Sequence, residues 1–449
     1  MDYKTTIGLE IHAELKTRTK MFCPCLNDPL ETTANTNVCP VCLAHPGVLP
    51  TINKAAVESV LKLGLALGGE ILKHSRFDRK SYFYPDLPKG YQISQYDAPI
   101  ATSGWLKLKT DEPKTIRIRR VHLEEDTGKL LHTEVNGEKC TLVDFNRSGV
   151  PLLEVVTEPD FQNSQEVDEF LKDLQRTVRY LGVSDADMEK GSLRIEPNVS
   201  IRQLPITNDQ LPNYKVEVKN INSFRFAKKA IEYEIKRQIE LLEKGETPLQ
   251  ETRGWNESEN KTVSQREKEE AHDYRYFPEP DIPPMNFTPE EIAEIKKQIP
   301  ELPEEKEKRF VKEFKLSPYQ AELLIETKER ADFFENCLTL TPGVKLSSTP
   351  GVTPSEVANW LINRKIDIKT VSPEKLIKDL IASKEVTLVS ETEMSRIVDK
   401  TLSENAPAAA DYKKGKTAVL GFLIGQAVKK IGPQVDRQEI TRKLIEKLR

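Results

Sequence analysis

Apolar and polar residues alternate at four separated places in the first half of the chain. In 6–15, Ile7, Leu9, Ile11, Ala13 and Leu15 share one parity, so a strand there turns Glu10, His12 and Glu14 to the opposite face. In 116–125, Ile116 and Ile118 lie on one parity and Val121 and Leu123 on the other, which predicts a bulge at Arg119-Arg120. Beyond it His122 and Glu124 project together, and Glu125 and Asp126 close the strand. Segment 193–202 sets Leu193, Ile195, Val199 and Ile201 against Arg194, Glu196, Asn198 and Ser200; segment 214–220 sets Val216 and Val218 against Lys215, Glu217 and Lys219. If these strands share a sheet with apolar faces inward, carboxylates, two histidines and several cations crowd one surface.

Helical periodicity marks other stretches. One helix starts at Asn163 or Ser164, with Glu166 completing a capping box, carries Val167, Phe170, Leu171, Leu174, Val178 and Leu181 on one stripe, and stops at Gly182. A second runs from about Phe226 through Ile231, Ile235 and Ile239 to Gly245. After the proline cluster Pro278, Pro280, Pro283 and Pro284 the pattern becomes almost wholly helical, with segments 290–299, 318–324, 355–362 and 373–381 each beginning near Pro, Ser or Asp. A softer break at 405–411 precedes a basic segment, 413–430, with Phe422, Leu423, Ala427 and Val428 on an apolar face, and a last helix from about Arg437. The expected architecture is α+β: antiparallel sheets and helices over 1–284, an all-α domain over 285–400 and a small helical tail domain over 401–449.

At 449 residues, 37% hydrophobic and 31% charged, the chain is neither a single small module nor a disordered one. No run approaches the roughly 20 apolar residues that span a bilayer, and Met1-Asp2-Tyr3-Lys4 leads into a strand pattern without a signal-type apolar block. The chain therefore reads as cytoplasmic, with no membrane partner. A net charge of −4 excludes a polycation. From Thr401 onward, however, ten Lys and Arg stand against five Asp and Glu, which suits either a nucleic-acid-facing tail or a solvated helical surface.

Of six cysteines, four form two close pairs, Cys23-Pro24-Cys25 and Cys39-Pro40-Val41-Cys42. Two thiolate pairs joined by a loop suit a tetrahedral zinc site with all four positions filled by protein, which is a structural rather than a catalytic metal. The alternatives are four separately buried cysteines, or His45 replacing one thiolate; Cys140 and Cys337 read as core residues. The acidic face suits Mg²⁺, which prefers carboxylate oxygens and shares its coordination with phosphates, while nearby Lys and Arg hold non-bridging oxygens. That is the chemistry of a nucleotide-using site, although neither GxxxxGK[ST] nor GxGxxG occurs. The bland alternative is the solvated face of an antiparallel sheet. The loop 77–96, dense in aromatics and hydroxyls, adds Lys80 and Lys89 as anion contacts, or is simply a surface loop pinned by its aromatics.

Gly8-Leu-Glu-Ile-His12, Cys39-Pro-Val-Cys42, Phe77-Asp-Arg-Lys80, Tyr84-Pro-Asp-Leu-Pro-Lys-Gly-Tyr-Gln-Ile-Ser-Gln-Tyr96, His122-Leu-Glu-Glu-Asp126, Asp144-Phe-Asn-Arg147, Lys219-Asn-Ile-Asn-Ser223 and Asp273-Tyr-Arg-Tyr-Phe277 together resemble the B subunit of the aspartyl/glutamyl-tRNA amidotransferases. The likeness extends to Pro284 and returns weakly at Gly421-Phe-Leu-Ile-Gly-Gln426. It implies a cradle-shaped domain, a helical domain and a terminal domain that contacts tRNA. It also implies ATP-dependent phosphorylation of the side-chain carboxylate of Glu mischarged on tRNA(Gln), or Asp on tRNA(Asn). Amide formation follows, with ammonia from a separate glutaminase, the A subunit, joined by a small C subunit.

On the same resemblance, Glu10, His12, Glu124, Glu125 and Glu217 carry metal binding and phosphoryl transfer, with Glu10, His12 and Glu125 on magnesium. Lys80, Lys89, Arg119 and Lys219 face the nucleotide, Lys80 and Lys89 alternatively the ammonia route; Cys23, Cys25, Cys39 and Cys42 hold zinc. The chain departs from the family pattern at Glu196-Pro197-Asn198, where Asp-x-Asn is usual, at Leu43-Ala44-His45 and in the tail at Ala427–Ile431. A related archaeal-type E subunit is usually longer through an inserted domain. The rival from another class is a zinc-stabilised tRNA-binding scaffold whose acidic face is only surface.

Overall fold

The computed structural model describes residues 2–28, 31–109, 113–204, 212–267, 275–339, 352–364, 366–383, 390–431 and 436–448. Two compact units divide the chain, Met1–Glu305 and Lys306–Arg449. The first is built on a nine-stranded sheet of β1 (Tyr3–Glu14), β2 (Glu70–Ile71), β3 (Ala101–Leu108), β4 (Lys114–Glu125), β5 (Pro151–Thr157), β6 (Leu193–Gln203), β7 (Val216–Lys219), β8 (Glu251–Asn256) and β9 (Lys261–Glu267). Their spatial order is β9-β8-β7-β6-β1-β5-β4-β3-β2. All pairings are antiparallel except β7 with β8, which run parallel because helix α3 (Phe224–Glu243) carries the chain back between them.

The alternating segments thus do share one sheet. Ile7, Leu9, Ile11 and Ala13 of β1 are sealed, as are Ile116, Ile118, Val121 and Leu123 of β4 and Leu193, Ile195 and Val199 of β6. Helices α1 (Lys54–Ala66), α2 (Ser164–Tyr180) and α3 cover this apolar face. At about 1.5–3 kcal/mol for each large apolar side chain buried, this packing fixes the register, because a one-residue slip of β1 would drive Glu10, His12 and Glu14 into the core. The bulge sits where the parity changes: Val156 faces Arg120 while Thr157 faces Ile118, leaving Arg119 as the extra residue.

Helix α2 begins as the sequence predicts, with the Asn163 side chain accepting from the Glu166 N–H at 2.9 Å. The reciprocal half of the box is not made. The Glu166 carboxylate accepts instead from the Gln162 N–H and from the Lys114 ammonium on β4, which tie the helix to the sheet. Helix α4 (Pro289–Lys297) packs on α1, so the first unit runs past the proline cluster to Glu305 rather than ending at 284.

In the second unit, Pro318–Leu324, Pro354–Asn363 and Pro373–Ala382 each start with Pro behind a Ser or Thr cap. Phe310, Phe314 and Phe334 pack together, with ring centroids 5.1 to 5.6 Å apart. Met394 and Val398 of Glu391–Glu404 join Leu423, Ala427, Ile440, Leu444 and Leu448 in one core, so that helix belongs with the tail and the expected boundary at 400 falls inside it. Asp273 and Tyr274 of the Asp273–Phe277 motif lie outside the described residues. Among the described residues no helix is long and apolar enough to cross a membrane.

Candidate active site

Register alone lays out the polar face of the sheet. His12 stands opposite Arg194 on β6 and Glu154 on β5, and Glu154 stands opposite His122 on β4. One step along, Glu10 stands opposite Glu196 and Val156, and Val156 opposite Arg120; one step the other way, Leu152 separates Glu14 from Glu124. Asn198 faces Glu217 across β6 and β7.

Two carboxylate groups result. In the first, His12 Nε2 lies 3.3 Å from Glu124 Oε1 and 3.5 Å from Glu154 Oε2, and His122 Nε2 lies 3.0 Å from the same Glu154 oxygen. Burial would lower the His12 pKa, but Glu154 and then Glu124 raise it to about 9. Burial would likewise raise Glu154, yet His122 and His12 hold it well below the usual carboxylate range. Ser94 Oγ donates to Glu124 at 3.3 Å. Burial works against the Lys80 charge, but Glu124, Tyr276 and Glu154 push its pKa up, so the ammonium stays charged. The Tyr276 hydroxyl is raised to about 12 by burial, and its ring stacks on Tyr96 with centroids 4.4 Å apart.

In the second group, Glu10, Glu196 and Glu217 each offer an oxygen within 4.8 Å of the others. Burial, then Glu154, Glu196 and Glu217, raise the Glu10 pKa, as repelling like charges must. Asn198 donates to Glu10 at 3.2 Å while its own Oδ1 is buried without a partner. Thr252 donates to Glu217 at 2.7 Å, and the Lys219 ammonium lies 3.1 Å from Glu196 and 3.7 Å from Glu217. Mutually repelling carboxylates beside an orphaned acceptor oxygen fit a hard divalent cation, as do His12, Glu124 and Glu154, whose ligand atoms also lie within 4.8 Å of one another. The lengthened acid Glu196 therefore keeps its place in the group.

Glu125 is not brought to either group. As the residue after Glu124 on a strand it points to the opposite side, where its Oε1 accepts from the Ile93 N–H at 2.9 Å and its Oε2 from the Lys89 ammonium at 2.7 Å. The structure thus places Glu125 with Lys89 and does not bring either to Glu10 and His12. The pair lines a cavity of about 100 Å³ with Cys23, Cys42 and His45. Arg119 does border a 250 Å³ cavity beside Glu10 and Asn198, but its guanidinium is held by Glu158 at 2.9 and 2.8 Å. At the strand ends Asp126 accepts from Arg194 at 2.6 Å, and Arg147 lies 3.5 Å away. Glu14 is raised to about 7 by burial and by Asp126.

Cys23, Cys25, Cys39 and Cys42 bring their sulfurs within 4.8 Å of one another, an arrangement able to hold a metal ion. Cys42 Sγ accepts from the Cys39 N–H at 3.1 Å, and the fully buried Lys20 ammonium lies 3.8 Å from it, bonded to the Asn37 carbonyl at 2.7 Å. The shared proton of Cys23 and the neighbouring donors lower Cys42 to about 5, while Cys23 is pushed up and burial takes Cys25 to about 11. His45 is not among the clustered ligands. Cys337 is a core residue, whereas Cys140 is half-buried on the hairpin of Lys129–Val135 and Glu138–Asp144, outside the main sheet.

Sequence reasoning missed Glu154, Arg120 and Tyr276. Glu154 had a signal, as the lone acid in the run Leu152-Leu153-Glu154-Val155-Val156.

Residues 5–293 match the family model of the GatB/GatE catalytic domain, and residues 357–448 that of the GatB domain. The aspartyl/glutamyl-tRNA(Asn/Gln) amidotransferase B subunit of Thermotoga sp. (strain RQ2) is 42% identical over 100% of this chain and 99% of its own length. Its counterpart in Thermomicrobium roseum is 44% identical over 99% of this chain and 98% of its own, and that of Rippkaea orientalis 43% identical over 99% and 97%. With the catalytic-domain model spanning the acidic sheet and relatives matching from end to end, the chain belongs to the B-subunit family of the aspartyl/glutamyl-tRNA(Asn/Gln) amidotransferases.

Proposed function

We propose that this chain is the transamidating component of a tRNA-dependent amidotransferase working in the cytoplasm, converting Glu on tRNA(Gln), Asp on tRNA(Asn), or both, into the amide. It acts with a glutaminase, the A subunit, and with a small C subunit, and its domains are a catalytic cradle, a helical domain and a tail domain that contacts tRNA. The observation that carries this reading is the convergence of Glu10, Glu196 and Glu217 with His12, Glu124 and Glu154 on one sheet face.

A carboxylate is a poor electrophile. Passing the γ-phosphoryl group of ATP to a side-chain oxygen releases ADP and turns that oxygen into a leaving group; ammonia then attacks the acyl carbon, the bond to phosphate breaks, and the nitrogen loses a proton. Glu10, Glu196 and Glu217 would hold Mg²⁺, with His12 and Glu124 adjoining, and the chemistry the ion supplies when bound is neutralisation of phosphate charge. Lys80, kept charged beside Glu124 and Glu154, and Lys219, beside Glu196, would stabilise charge on the transferring group. Glu125 and Lys89, on the far side of β4, are assigned to the ammonia route rather than to the metal. Cys23, Cys25, Cys39 and Cys42 would hold a structural Zn²⁺.

The test supplies the glutaminase and the small C subunit and measures ATP cleavage dependent on Glu-tRNA or Asp-tRNA. Glu124→Gln should lower turnover at least about 10²-fold with tRNA binding retained. Full turnover in that variant, or wild-type tRNA binding without nucleotide cleavage, would favour the scaffold instead.

A further inference from the structure

The cations around the acidic face are nearly all engaged by acids. His12 and His122 lie against Glu154, Lys219 against Glu196, Arg194 against Asp126 and Arg119 against Glu158. Arg120 differs. The bulge at Arg119 turns it to the same face as His122 and Glu124, and its cross-strand neighbours are uncharged: Val156 on β5 and Thr102 on β3. Among the described residues no carboxylate lies within ion-pair distance of it. Its guanidinium sits over the Tyr96 ring, 5.5 Å from the centroid, and Tyr96 is backed by Tyr276. Its Nε is buried and has no hydrogen-bond partner.

A guanidinium laid against an aromatic face has its plane fixed and its N–H edge available, the geometry that takes a carboxylate through two parallel bonds. The acceptor side chain of the aminoacyl-tRNA needs such a partner. It is an anion brought to a surface crowded with Glu10, Glu124, Glu154, Glu196 and Glu217, and it carries no counter-ion of its own, whereas nucleotide phosphates bring theirs. Resting on the transamidation reading above, we infer that Arg120 binds the side-chain carboxylate of the aminoacyl group and presents its oxygen for phosphorylation.

The experiment uses the complete three-component enzyme and measures KM and kcat separately for aminoacyl-tRNA and ATP, together with binding of uncharged tRNA, for the wild type, Arg120→Met and Arg120→Lys. Arg120→Met should lower kcat/KM for aminoacyl-tRNA about 10²-fold, the loss of two charge-assisted bonds. The KM for ATP should stay within about twofold, with uncharged tRNA bound as before. Arg120→Lys, which keeps the charge but not the fork, should recover part of the loss and serves as the test if the methionine variant does not fold. A raised KM for ATP would move Arg120 to the phosphates and overturn the assignment; so would unchanged constants, or equal weakening of charged and uncharged tRNA. No turnover in the wild-type complex would instead overturn the activity reading itself.

Discussion

In the metal-free protein His12 should titrate near 9, far above an ordinary imidazole at 6.5. Burial opposes this, and the excess comes from Glu154 at 3.5 Å and Glu124 at 3.3 Å. At about 1.36 kcal/mol per pH unit the displacement corresponds to roughly 3 kcal/mol favouring the imidazolium in the folded chain. Because the folded value is raised, this stabilisation is complete below pH 6.5 and is lost as pH rises through 9. A metal ion needs the neutral ring, so an ion ligated by His12 must displace the proton. Its affinity should then climb about tenfold from pH 7 to 8 and about fivefold from 8 to 9, roughly 50-fold in all, with about one proton released per ion bound at pH 7 and about half a proton at pH 9. NMR titration of the imidazole, and Mg²⁺ calorimetry in two buffers of different ionisation enthalpy, measure both. Glu154→Gln removes the leading source of the upward displacement and should bring His12 back toward 6.5. Wild-type His12 titrating at or below 6.5, or a value that stays near 9 in Glu154→Gln, would refute the reasoning.

Purified protein should carry about one tightly held zinc, released by chelators and absent from Cys39→Ser, with a melting temperature several degrees lower in both cases; metal analysis showing less than one equivalent, unchanged by the substitution, removes the site. Arg194→Met should cost about 3 kcal/mol at pH 7, because among the described residues Asp126 then keeps only Arg147 as a cationic partner. Burial would raise Asp126, but Arg194 and Arg147 lower it below 3.8, so its contribution is complete above that value and vanishes as pH falls through the lower folded one. Urea unfolding should accordingly show the wild-type advantage shrinking toward pH 3, and an advantage equal at both pH values contradicts it. Arg79→Lys loses the paired bonds to Glu279 at 2.6 and 2.9 Å and the stacking over Tyr91 at 4.3 Å, and should cost about 1.5–3 kcal/mol by the same measurement.

What could be read from the chain follows from where each signal resides. Period two exposes β1, β4, β6 and β7 because one face of each is sealed and the other carries charge, so Glu10, His12, Glu124 and Glu217 were legible as one surface. Strand β5 is buried at every position from Pro151 to Thr157, so alternation is silent there and Glu154 was lost among apolar neighbours. Glu125 was grouped with the magnesium ligands on family resemblance, against the strand period that turns it away from Glu124. Ser and Thr caps ahead of Pro located helices such as Pro318–Leu324 to the residue. Which helices share a core is a long-range fact that no local pattern carries: α4 packs on α1, and Met394 and Val398 pack with Leu423 and Ile440.

One inserted residue joins these levels. Ahead of the bulge the even positions Ile116 and Ile118 of β4 face the core; beyond it the odd positions Val121 and Leu123 do. Without the bulge at Arg119, an unbroken strand holding Ile116 and Ile118 inward would turn Arg120, His122 and Glu124 into the apolar core and Val121 and Leu123 onto the polar face, an exchange that the cost of placing charge among apolar side chains forbids. The bulge therefore resolves a conflict in β4 that no substitution within a regular strand could, and it does so beside Glu10, setting two consecutive arginines near one acidic group, one held by Glu158 and one over Tyr96. A local irregularity of the backbone, legible as a change of parity in the sequence, is what lets a single sheet supply a sealed core on one face and converging carboxylates, imidazoles and guanidinium groups on the other.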